Sequence, residues 1–380
     1  MRSAAGAPHH PRRLANIAAA LVCAALLASG CSGNDEASAD GQPAPVDAEV
    51  ATAPTGMLAL LATIPDNLQA RSFIHGTDLT AMRAARDLTA PDTEGGDAAA
   101  ANYLAQLAGA DGAAPTIVGM PEPAAAEAWR TELGFSVLDL TRTAVIGPGE
   151  SITVYGTTRS PEQLDAALRS DPVWGPQIRV VSVDNGRIYT WDDDPALAHP
   201  DRISPARPLG ISGALGVLTD GRVVRSESLV AVELAMSTAA TPGGSLADVN
   251  AIQLSVTALT DRKVDELLLT ATPPATTADP ALVTMTLLGV GSAAATTPAV
   301  DVAVLVHETP EAAAINAERL RAIVESGTSS RLDTPWDQVL SLREISTEGA
   351  VVQVEFDVAV PGAVMDALFS GDNLLAVGDS

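Results

Sequence analysis

The feature that most restricts how this chain can fold is an order of local signals that occurs twice. Ser160-Pro161-Glu162 sets a hydroxyl, a proline and an acid at the start of a helix. The hydroxyl satisfies a free backbone N–H, the proline has no N–H to lose, and the acid meets the positive helix end. Leu164, Ala167 and Leu168 supply a buried face, Trp174 follows, and apolar segments 178–183 and 187–191 meet at Asn185-Gly186, a two-residue hairpin signal. Thr309-Pro310-Glu311 opens in the same way. Ala313, Ala317, Leu320 and Val324 make its stripe, Gly327 ends it, Trp336 follows, and segments 339–345 and 351–358 meet at Glu348-Gly349. A strand precedes each helix, at 152–155 and at 302–306. Trp174 stands twelve positions before Gly186, and Trp336 thirteen before Gly349. We read this as a diverged internal duplication of a strand–helix–strand–strand unit. The predicted fold class is α+β: a helical N-terminal region followed by two related modules with antiparallel sheets and helices packed on one face.

The rest of the chain fills in around these units. Helices are predicted at 79–88, opened by Thr77-Asp78, and at 98–107 and 124–133, so the front region reads as mostly helical. Strands follow at 143–146 and 152–155 around Gly147-Pro148-Gly149. A hairpin on Asp220-Gly221 joins 213–218 to 222–225, and helices follow at 229–236 and from Ser245-Leu246-Ala247-Asp248 to 259. Strands at 264–272 and 282–288 flank Pro273-Pro274, read as the joint between modules. The expected organisation is a leader over 1–30, an acidic linker over 31–56, a helical region plus first module over 57–272, and a second module over 273–380. The linker carries Asp35, Glu36, Asp40, Asp47 and Glu49 and almost no large apolar residue, too little to offset chain entropy.

The N-terminus gives an address. Arg12-Arg13 precedes an apolar run from Leu14 to Ala28, and Leu27-Ala28-Ser29-Gly30-Cys31 closes it. A basic lead, a short apolar stretch and small residues before a cut are the marks of an export signal. The segment resembles the lipobox of bacterial lipoproteins, with Ala28 where the usual residue is Leu. The resemblance implies that Cys31 becomes the first residue of the exported chain and carries a diacylglyceryl group. Two acyl chains anchor a protein stably where one does not. The expected location is therefore the outer face of the cytoplasmic membrane, with the membrane as partner through the lipid on Cys31. The stretch 152–272 is similar to an extracytoplasmic bacterial domain family of unknown function, which implies a duplicated α+β body and brings no catalytic residues with it. The arginine-rich, lysine-poor composition, with abundant Ala and Gly, is actinobacterial-like.

Composition narrows the chemistry. The chain has 22 Lys and Arg against 47 Asp and Glu, a formal charge of −25. Loss of residues 1–30, with Arg2, Arg12 and Arg13, leaves 19 basic residues against 47 acidic ones, a formal charge of −28. Such a chain is repelled by nucleic acid, which is excluded as a partner. Of two cysteines, Cys23 leaves with the leader and Cys31 is lipidated, so no thiol is left for disulfides, catalysis or metal.

Motifs with chemistry are sparse. Lys263, the only lysine, follows Arg262 rather than Gly and stands three places after Thr260, which excludes a phosphate-binding loop and the S-x-x-K signature. Gly210-Ile211-Ser212-Gly213-Ala214 nearly matches a nucleophile elbow, but Ala214 breaks it and a strand follows. Gly289-Val290-Gly291-Ser292-Ala293-Ala294 fits a dinucleotide fingerprint, but Pro298 forbids the long helix it needs. His75, His199 and His307 lack metal spacing, and Asp192-Asp193-Asp194 is dense but not a calcium loop. No catalytic residue, cofactor or metal is expected. The role expected is non-catalytic: binding an envelope protein or small ligand, or scaffolding. The alternatives are an exported hydrolase using carboxylates or a serine with one of the three histidines, and a carrier of apolar molecules.

Overall fold

A twelve-stranded sheet, antiparallel at every pairing, runs through the body of the protein. The structure is a computed structural model that describes residues 53–108, 116–148, 151–194, 196–293 and 298–378. The leader, Cys31, the turn residue Gly149 and Ala294 lie outside the described residues. The strands are β1 Ile74–Asp78, β2 Leu140–Ile146, β3 Ile152–Thr157, β4 Arg179–Val183, β5 Gly186–Thr190, β6 Ala214–Leu218, β7 Val223–Ser226, β8 Glu266–Thr270, β9 Ala275–Thr276, β10 Leu287–Ala293, β11 Ala299–Val306, β12 Thr328–Ser329, β13 Thr334–Pro335, β14 Leu340–Glu348, β15 Val351–Val358 and β16 Val377–Gly378. The main sheet runs β14-β15-β11-β10-β8-β1-β2-β3-β7-β6-β5-β4, with β12–β13 and β9–β16 as separate two-residue pairs.

The helices are α1 Gly56–Leu61, α2 Leu68–Ser72, α3 Leu79–Ala85, α4 Asp97–Ala108, α5 Ala126–Leu133, α6 Pro161–Ser170, α7 Leu229–Ala240, α8 Asn250–Asp261, α9 Pro310–Ser326 and α10 Ala363–Phe369. The period-two alternation of the strands sorts their side chains to two faces. Leu267, Leu269, Val302 and Val304 pack on one face with Leu60 of α1, Met236 of α7 and Val256 of α8. Leu268, Ala303 and Leu305 point the other way, to Leu320 of α9 and Val364 of α10. On that same face Tyr155 and Val223 meet Trp129 of α5 and Leu164 of α6. The two capped helices, α6 and α9, thus share a face. A second layer, α1, α7 and α8, covers the other, so helices flank the sheet on both faces rather than packing on one as expected, because both faces of its strands are apolar.

The expected caps form. Ser160 Oγ accepts from Gln163 N at 3.3 Å, and Gln163 Oε1 accepts from Ser160 N at 2.9 Å. Thr309 Oγ1 accepts from Ala312 N at 3.2 Å. Trp174 and Trp336 are both buried at short 3₁₀ turns after their helices. The sheet neighbours then diverge. β15 pairs directly with β11, whereas β5 pairs with β6, and the β6–β7 hairpin stands between β5 and β3.

Four expectations shift. The front region, expected to be mostly helical with Thr77-Asp78 opening a helix, contains the strand β1. It is short and holds His75 and Gly76, yet it pairs with β2 and β8 at the centre of the sheet. The strand expected at 282–288 begins only at Leu287, because Leu282 N is taken by Ala376 O at 3.1 Å. The β4–β5 turn sits one residue early, on Asp184-Asn185. Gly186 is the first residue of β5, where an added Cβ would lie 2.0 Å from Val217 O. The dinucleotide-like glycines lie inside β10. A Cβ on Gly291 would come within 2.3 Å of Val264 Cγ1, so these glycines serve close packing of the chain against the strand. Residues 52–380 form one compact unit. β8 pairs with both β1 and β10, so the sheet is continuous across position 272.

Candidate binding pocket

β3 and β7 pair with Thr153 opposite Arg225 and Tyr155 opposite Val223. This register turns Thr153, Tyr155 and Arg225 to the face that carries α5 and α6. Two loops close over them and leave a pocket of about 260 Å³.

The first loop reaches the strands through Gly119. Tyr155 Oη donates to Gly119 O at 2.8 Å. Gly119 has φ +78, and a Cβ there would sit 2.4 Å from Thr153 Cγ2, so glycine is required on both counts. The second loop is a tight fold over residues 204–213. Ser204 and Arg207 exchange backbone hydrogen bonds, and Gly210 N donates to Arg207 O at 2.8 Å. Gly210 has φ +64, and a Cβ there would strike His199 O at 2.1 Å. Pro208, Leu209 and Ile211 of this loop give the pocket an apolar wall, with Pro121 from the first loop.

Behind the pocket the second loop is pinned by a stack of cations and indoles. Arg202 Cζ lies 4.9 Å from the Trp174 ring centre. Arg207 Cζ lies 4.6 Å from Trp174 and 4.5 Å from Trp191. Such contacts contribute about 0.5–2 kcal/mol each, more when water is excluded. Arg207 is 1% exposed. Its Nη1 donates to Ser212 O, its Nε lies 3.4 Å from Glu132 Oε2, and its Nη2 has no hydrogen-bond partner among the described residues. Burial, and then the charge of Arg225, bring the Arg207 pKa down to about 9, so it stays protonated at neutral pH. Burial also raises the Glu132 pKa. Arg225 lies over Trp129 at 5.7 Å and donates through Nη2 to Ala206 O at 3.1 Å.

The residues singled out by sequence are dispersed. His199 Nε2 lies 3.0 Å from Asp192 Oδ2 and edge-on to Trp174, beside the stack. The acidic triplet divides: Asp193 meets Arg179 at 2.6 Å, and Asp194 accepts from Ala196 N at 3.0 Å. His75 Nε2 lies 2.9 Å from Glu266 Oε1, among Phe73 and Phe369. His307 accepts at Nε2 from Asn316 Nδ2 at 2.8 Å and donates from Nδ1 to Ala350 O at 3.2 Å, a neutral imidazole whose burial lowers its pKa. Among the described residues no group of three or more His, Cys, Asp and Glu is placed to hold a metal ion. Lys263 is exposed at φ +59 in the turn that ends α8, beside a second pocket of about 280 Å³ that also touches Asp78 and Asp265. A third pocket, about 420 Å³, has Arg142, Asp220 and Arg222 in its wall.

Of the near-elbow, Ile211 and Gly213 line the first pocket and Ser212 is buried. Sequence reasoning weighed a nucleophile elbow there and passed over Arg207 and Arg225. One weak signal was present: the chain has only four tryptophans, and Trp191 stands within sixteen positions of Arg202 and Arg207. Among the described residues no helix is long and apolar enough to cross a membrane. No known protein family, curated protein or solved structure matches the chain.

Proposed function

We propose that the protein is an exported lipoprotein, anchored through Cys31 to the outer face of the cytoplasmic membrane, whose role is non-catalytic binding of a small ligand. The observation that carries the binding role is the pocket over β3 and β7. Convergent polar groups, Thr153, Tyr155 and Arg225, face an apolar wall of Pro208, Leu209 and Ile211, and the Trp174–Arg207–Trp191 stack holds that wall in place. Binding sites combine an apolar lining with a few positioned polar groups in this way. The anchor rests on the resemblance of 27–31 to a lipobox, and the acidic linker beyond it suits a tether.

Two measurements test the two halves. Cys31→Ser should move the protein from the membrane fraction to the soluble fraction, and mass spectrometry of the native chain should find lipid on Cys31; full membrane retention of the variant refutes the anchor. A thermal-shift screen against a library of small charged and neutral solutes should find stabilising ligands whose effect is lost in Leu209→Asp, a change at a residue 64% exposed on the pocket rim. A hit that Leu209→Asp leaves intact places binding elsewhere.

A further inference from the structure

Resting on that reading, we propose that the ligand is a small organic monocarboxylate, its carboxylate held by Arg225 and its apolar body against the 208–211 loop. The argument starts from the charge inventory. Acids outnumber bases by 47 to 22, and arginines such as Arg71, Arg86, Arg142, Arg159 and Arg262 each have a carboxylate within 4.0 Å. Arg225 has none among the described residues; the half-buried Arg83, Arg130, Arg202 and Arg319 have none either, but of these five Arg225 is the one that lines the pocket.

The guanidinium is also pre-set. It offers five N–H donors in a fixed plane. Trp129 covers it at 5.7 Å, and Ala206 O takes one Nη2 bond. A planar group held by a cation–π contact and one anchoring bond suits a planar carboxylate, which accepts two parallel hydrogen bonds from such a fork. Arg207 stands near enough for its positive charge to be felt by Arg225, and a bound anion relieves that repulsion.

Size and rim charge narrow the class. About 260 Å³ is below the roughly 300–1,000 Å³ of sites for drug-sized ligands, so the ligand is small. Glu227 is exposed at the pocket edge and disfavours a second negative charge. Pro121, Pro208, Leu209 and Ile211 favour an apolar remainder. Together these select an aromatic or branched monocarboxylate over a dianion.

The test uses benzoate as probe, with benzamide as its neutral isostere and inorganic phosphate as a compact anion, titrated calorimetrically into the full chain carrying Cys31→Ser. Benzoate should bind saturably, benzamide at least tenfold more weakly, and phosphate more weakly still. Arg225→Gln should weaken benzoate at least tenfold, and Arg225→Lys should recover part of the loss. Leu209→Asp, on the exposed rim, should weaken benzoate with an unchanged thermal midpoint, which covers the case that Arg225 variants fold poorly. Equal binding of benzoate and benzamide, or tighter binding of phosphate, overturns the assignment. Stabilisation by neutral solutes alone, lost in Leu209→Asp, keeps the binding role and overturns the carboxylate. Inertness of the folded chain toward every solute overturns both.

Discussion

Asp265 is 3% exposed where β8 begins, 3.3 Å from Arg86. Burial raises its pKa to about 6, with Arg86 pulling the other way. The folded state therefore holds this proton more tightly than the unfolded chain does. Its contribution is fully present below the unfolded value near 4 and is lost as pH rises through about 6. Relative to Asp265→Asn, the native chain should gain about 2 kcal/mol as pH falls from 7 to 4, read from urea unfolding at each pH. Parallel stability profiles for the two chains would show that Asp265 is not the group responsible. Nothing in the local sequence marks this residue. Asp261, Asp265 and Glu266 look alike along the chain, and only the approach of α3 buries one of them.

The elements with self-contained signals were legible in advance. The Ser160 box, the Thr309 cap and the Ser245–Asp248 box form within a few residues, so the order of side chains along the chain specifies their partners. Ser160→Ala should cost about 1 kcal/mol in a thermal or urea melt, with Gln163 N left to water. No measurable change would mean that α6 is held by Leu164 and Leu168 alone. Elements without such signals were displaced or missed. β1 is five residues long, with a histidine and a glycine in it, and becomes a strand because β2 and β8 offer two rows of backbone partners. The 206–213 loop carries no repeating pattern. Its shape depends on Trp174 and Trp191 arriving from elsewhere to enclose Arg207.

At the scale of the molecule, β8 joins the two halves of the sheet, with β1 on one side and β10 on the other. A chain ending at residue 272 would leave β8 as an edge and strip Leu268 of Val290, Ala303 and Leu305 from its cluster. Unpaired edges with exposed apolar faces self-associate. Such a fragment should elute from gel filtration as oligomers or aggregate. A monomer with one sharp melting transition would show that the first 272 residues are self-sufficient.

The sequence by itself determined the α+β class, the antiparallel hairpins, the caps of α6 and α9, and the strongly acidic charge balance. These follow from period, caps and charge, all properties of neighbours along the chain. Only the tertiary structure decided that one sheet spans both halves of the chain, that three tryptophans gather around arginines, and that Arg225 lines a pocket with, among the described residues, no carboxylate within 4.0 Å of it. Those features depend on contacts between residues tens of positions apart, where burial and proximity, rather than local propensity, set the chemistry.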